Sequence, residues 1–128
     1  MSLEQAKEFR AVMGQPCTGG CHKAALLGLS LIEEEEIELQ AAMRIAISTG
    51  LRCHWEAALK ELADLVCVAE QLAAAMEWDL PEAMDRVHAS NMTKLVEGKP
   101  LRNDQGKVMK GPNYVPPDLS DLAMPWQH

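Results

Sequence analysis

The run Glu33-Glu34-Glu35-Glu36 lies inside a stretch, from about Lys23 to Ile47, that reads as one long helix, yet it does not fall on one side of that helix. At about 100° per residue, with Glu34 at zero, Glu38 falls near about 40° and Glu35 near about 100°. Leu27 and Ile45 fall near about 20°, Leu31 near about 60°, Ala42 near about 80° and Ala41 near about 340°. Three glutamates therefore share the apolar side. Glu33 and Glu36, at about 260° and 200°, sit beside Gln40 and Arg44 on the solvated side. A second helical stretch, about Trp55 to Glu77, repeats the pattern. With Glu61 at zero, Ala57, Leu65, Val68 and Leu72 fall within about 40° of it and Asp64 about 60° away, while Glu56, Lys60, Glu70 and Gln71 take the other side.

Five carboxylates, Glu34, Glu35, Glu38, Glu61 and Asp64, are thus expected to point into one helix interface. Each unpaired buried ion costs several kcal/mol, so something must neutralise them. Hard divalent cations, Mg²⁺ or Mn²⁺, suit an all-oxygen ligand set. A partly open acidic cleft, or an ion-pair network with lysines of the C-terminal tail, is the competing reading. A di-iron centre is disfavoured, because such bundles combine glutamates with Glu-x-x-His pairs. Here the second motif is Glu61-x-x-Asp64, and the comparable imidazole is His88, after Asp85.

The rest of the chain reads as short helices and an irregular end. Residues 3 to 13 form an amphipathic helix, which Gly14, Pro16, Gly19 and Gly20 break. Ser48-Thr49-Gly50 ends the long helix, and Asp79-Leu80-Pro81-Glu82 looks like a capping box opening a fourth helix to about Val96. From Glu97 onward Gly98, Pro100, Gly106, Gly111, Pro112, Pro116 and Pro117 rule out another long helix, with a short extended piece over Lys107 to Lys110. The expectation is one all-α domain spanning 1–128, a four-to-five-helix bundle. Its core is about 3–96, and its Pro/Gly-rich tail, 97–128, packs on the bundle or on a neighbouring subunit. With 48% hydrophobic residues but only five aromatics among 128, the core must be aliphatic.

A net charge of −7 argues against contact with nucleic acid through its phosphates. No apolar run reaches the roughly 18 residues of a membrane span, and an N-terminus bearing Glu4 and Glu8 is unlike a signal peptide, so a cytoplasmic protein without membrane contact is expected. Cys17, Cys21, Cys53 and Cys67 then read as free thiols; their spacing, with His22 and His54, fits no strong zinc template.

The pair Glu34-Glu35-x-x-Glu38 and Glu61-x-x-Asp64 resembles the signature of the all-α nucleoside triphosphate pyrophosphohydrolases of the MazG and dimeric dUTPase type. The stretch Val87-His88-Ala-Ser90-Asn91-Met92-Thr-Lys94-Leu95 and the later Gly106-Lys107-Val108-Met-Lys110-Gly111-Pro112-Asn113-Tyr114, with Pro116-Pro117-Asp118, look like the MazG-like subfamily related to phosphoribosyl-ATP pyrophosphohydrolase, which includes phage members. The match runs over roughly residues 24 to 118. The resemblance implies hydrolysis of a (d)NTP to the monophosphate and pyrophosphate, with two or three Mg²⁺ per site, Mn²⁺ substituting, in a homodimer or dimer of dimers. It carries Glu34, Glu35, Glu38, Glu61 and Asp64 over as metal ligands. Glu35, Glu38 and Lys94 are the expected catalytic residues, with Glu35 as the base.

The same resemblance makes Asn91, Lys94, Lys110 and Tyr114 the expected phosphate contacts, Asn91 and Lys94 sharing a face of the fourth helix. It places the base pocket at Phe9, Met13, Gly14 and Gln15, with Gln15 offering amide groups to a base edge. His88, Trp78 and Trp126 read as packing or orienting residues. Pool control on dGTP or GTP is the leading expectation, in the host cytoplasm if the protein is viral. dUTP hydrolysis, phosphoribosyl-ATP hydrolysis and a non-catalytic acidic interaction protein are the alternatives.

Overall fold

The computed structural model describes residues 1–15 and 22–123. It is all-α: α1 spans Leu3–Val12, α2 His22–Thr49, α3 Arg52–Met76 and α4 Leu80–Met92. Among the described residues no strand forms, only the isolated antiparallel bridges Val96↔Lys99 and Arg102↔Val108. The chain divides into two compact units, Met1–Trp78 and Asp79–Met124. Among the described residues, no helix is long and apolar enough to cross a membrane.

In the first unit α2 and α3 form a long antiparallel hairpin, and α1 packs on α3. A capping box starts α1: Gln5 N–H donates to Ser2 Oγ at 3.2 Å, and Ser2 N–H donates to Gln5 Oε1 at 2.8 Å. The α2–α3 turn needs only Gly50 and Leu51. Gly50 takes φ 67°, which glycine adopts without steric penalty, and Leu51 N–H donates to Thr49 Oγ1 at 3.2 Å.

Most of the fully buried positions of α2 and α3 carry small residues, with Leu31, Ile32, Leu39 and Leu72 half-buried beside them. Ala24, Gly28, Ala46, Ala58, Ala73 and Ala75 are buried, whereas Leu26, Leu29, Ile37, Ile47, Leu59 and Leu62 are exposed. A Cβ on Gly28 would lie 2.7 Å from Leu72 Cδ1, so the backbones approach because that position has no side chain. The buried and half-buried residues of α2 are Ala24, Ala25, Gly28, Leu31, Ile32, Glu35, Leu39, Ala42 and Ala46. Most of them form a stripe centred near Glu35, about 100° round from Glu34. This corrects the expected inward side. Aliphatic residues surround α2, so hydrophobicity did not pick out one face. Small residues did.

The expected solvent side of α3 is corrected as well. Gln71 is buried and Glu70 half-buried. Cys67 and Ala74, neighbours of these residues on the helix, line hollows shared with α1. The first helix covers a side that α3 alone would leave wet. Trp78 is half-buried, and its Nε1 has no hydrogen-bond partner.

The second unit is α4 and the tail strapped along it. Asp79 caps α4 by accepting the Glu82 N–H at 3.1 Å. The helix was expected to reach Val96, but it ends at Met92. Thr93 Oγ1 donates to Ser90 O at 2.6 Å and accepts the Val115 N–H at 2.8 Å. The chain then reverses through Glu97 and Gly98, both at positive φ, the geometry of a two-residue hairpin turn. Ser90 Oγ donates to Val115 O at 2.6 Å. Arg86 grips Asp121 with two bonds, 2.5 and 3.0 Å, and also donates to Glu82 and to Asp118 O. The expected extended piece at Lys107 to Lys110 holds one bridge residue, Val108.

Candidate functional site

α2 supplies Glu35 and Glu38 one turn apart, and α3 supplies Glu61 opposite them. One carboxylate oxygen from each lies within 4.8 Å of the other two. Glu35 Oε2 and Glu61 Oε2 are buried and accept no hydrogen bond. Burial pushes the Glu35 carboxyl up to about 6, helped by the charge and hydrogen bond of Glu38 and by the charges of Asp64 and Glu61. The cluster therefore holds more negative charge than its own groups satisfy.

Asp64, one turn beyond Glu61 on α3, is held by a neighbour that the sequence placed elsewhere. Lys60 was expected on the solvated side, but its Nζ lies 2.6 Å from Asp64 Oδ2 and 3.5 Å from Glu61 Oε1. The stem of a lysine is long enough to carry its ammonium round the helix to an acid at i+4. Glu34 is exposed and is not one of the three acids whose oxygens converge.

The expected base-pocket residues separate. Phe9 and Met13 line a hollow of about 490 Å³ with Gln5, Glu8, Val12 and Cys67. Gln15 instead borders a smaller one, about 140 Å³, with Lys7, Arg10 and Ala74. Gly14 lines neither. Gln5, Glu8 and Cys67 were not anticipated. The signal for the first two was present, since Gln5, Glu8, Phe9 and Val12 follow the i, i+3, i+4, i+7 spacing of one helix side. Cys67 stands one turn beyond Asp64 on α3, on the side that faces α1.

No protein-family model matches the chain. No curated protein matches it in sequence either.

The four expected phosphate contacts all belong to the second unit. Asn91 is in the last turn of α4, and Lys94 lies beyond the helix end, in the turn closed by its N–H to Asn91 O at 3.1 Å. They do not share a helical face, because Thr93 has already ended the helix. Lys110 Nζ sits 5.0 Å from the centre of the Tyr114 ring, a cation–π contact. His88 is exposed, not packed. Of the cysteines, Cys53 and Cys67 are free thiols, and Cys17, Cys21 and Trp126 lie outside the described residues.

The donor set, carboxylate oxygens with no nitrogen or sulfur, fits a hard dication such as Mg²⁺ or Mn²⁺. The two buried oxygens without a partner are what such an ion would satisfy.

Proposed function

We propose that this chain is a divalent-metal-dependent nucleoside triphosphate pyrophosphohydrolase that converts a (d)NTP and water to the monophosphate and pyrophosphate. The observation that carries the reading is the convergence of Glu35, Glu38 and Glu61 from two helices, with two of their oxygens buried and unbonded. The motif pair Glu34-Glu35-x-x-Glu38 and Glu61-x-x-Asp64, which resembles the MazG-type signature, supports it.

In this reading Glu35, Glu38 and Glu61 would hold Mg²⁺, with Asp64 and Glu34 as the further ligands that the resemblance carries over. Bound there, the cations would supply charge neutralisation for the triphosphate and lower the pKa of a bound water. Glu35, whose carboxyl is already displaced towards neutrality, accepts the proton of the attacking water. The base enters the hollow beside Phe9 and Met13, where the apolar walls take its faces and Gln5 and Glu8 meet its polar edge. A carboxylate at Glu8 favours a base that presents paired N–H donors, as guanine does.

The partner reading is a homodimer or a dimer of dimers. α2 and α3 leave Leu26, Leu29, Ile37, Ile47, Leu59 and Leu62 exposed, aliphatic surface that a second copy would cover. The deciding experiment is pyrophosphate release across a panel of canonical and modified (d)NTPs, and phosphoribosyl-ATP, with Mg²⁺. Turnover of a guanine nucleotide is expected. Inactivity on the whole panel, together with no thermal stabilisation by Mg²⁺, would leave a non-catalytic acidic interaction protein.

A further inference from the structure

We propose that Lys60 is a resident counter-ion of the acidic cluster, occupying Asp64 until a dication displaces it and then presenting its ammonium to the phosphates of the substrate. The inference rests on the metal-dependent reading above. On the helix wheel Lys60 belongs to the outer side of α3, yet its ammonium is turned towards the cluster, 2.6 Å from Asp64 and 3.5 Å from Glu61. The Lys60 side chain is 65% exposed, against 34% for Asp64 and 19% for Glu61. The ammonium therefore sits at the wet rim, where a polyanion must approach, and the acids lie behind it.

One ammonium is an incomplete substitute for a dication. It brings a single charge and three donors, and with it in place Glu35 Oε2 and Glu61 Oε2 still accept nothing. A dication satisfies several oxygens at once, so it wins Asp64 in exchange for an exposed ion pair, which is weak. Released, Lys60 keeps its flexible four-carbon stem at the rim and acts as a point charge for phosphate. Lys60 is thus a competitor of the metal in the empty protein and an ally of the substrate in the loaded one.

These two roles give a single substitution opposite effects. In Lys60→Gln of the full chain, Mn²⁺ affinity measured by calorimetry without nucleotide should tighten about two- to fivefold, the scale of an exposed ion pair. In the same variant KM for the triphosphate should rise several-fold with a smaller change in kcat, and Lys60→Arg should restore KM. A merely structural lysine would weaken metal and substrate binding together. Mn²⁺ affinity in Lys60→Gln equal to or weaker than in the wild type overturns the proposal and leaves the metal site standing. Failure of the wild type to take up Mn²⁺ overturns both.

Discussion

Glu35 lies in the seam of the α2–α3 hairpin, where its neighbours along the stripe are Ala42, Leu39, Leu31 and Gly28. Its carboxyl titrates at about 6 instead of 4.5, so between those values the folded chain keeps a proton that the unfolded chain has released. The stability associated with this group is therefore full below about pH 4.5 and is lost as pH rises to about 6. Asp118 and Asp121, held below 3.8 by Ser120 and by Arg86, act with the opposite sign and at lower pH. Metal-free melts between pH 4.5 and 6.5 should show this fall, and Mg²⁺ should reverse it, because the cation binds only the deprotonated carboxylate. Glu35→Gln should melt higher than the wild type without metal and lose turnover. Glu38→Gln should lose both the Mg²⁺-induced rise in melting temperature and about 100-fold or more in kcat, checked by thermal melts and pyrophosphate release. Part of the choice of acids was legible because spacing is written in the chain: Glu38 stays within about 60° of Glu35 at any wheel origin, whereas Glu33, Glu34 and Glu36 all lie about 100° or more away. Which of Glu34, Glu35 and Glu38 points most directly inward was not legible, since that depends on where α3 sits.

The elements divide along the same line. All four helices could be read from periodicity, with α1, α2 and α3 ending within three residues of expectation, because Gly, Pro and capping residues act locally. The end of α4 could not, because Thr93 closes it through Val115, more than twenty positions later. The burial of Glu70 and Gln71 also escaped notice, since it depends on α1 packing across α3. The seam is sensitive at Gly28, where a Cβ would meet Leu72 Cδ1 at 2.7 Å. Gly28→Val should cost about 1–3 kcal/mol through overpacking, read as a lower urea midpoint. Ser90→Ala removes the buried hydroxyl that donates to Val115 O and should cost about 1–2 kcal/mol, with faster proteolysis of the tail as the independent readout.

At the scale of the molecule, size and composition set one constraint and the helices another. The chain has aliphatic residues in plenty, but alanine and glycine take most of the fully buried positions of the hairpin, and Leu26, Leu29, Ile37, Ile47, Leu59 and Leu62 stay exposed. A chain built this way is expected to self-associate, and light scattering on the eluted protein should give a mass of at least twice 14.1 kDa. Ile37→Glu with Leu59→Glu should shift that mass towards the monomer.

The alanine seam has a consequence for how the fold is reached. Methyl groups packed across a close helix pair bury little area per residue, so much of the stabilising burial would have to come from the outer leucines and isoleucines meeting another surface. Association and folding would then be one reaction. Dilution should lower the melting temperature of the wild type, and the rate of regaining native helicity after denaturant removal should climb with chain concentration.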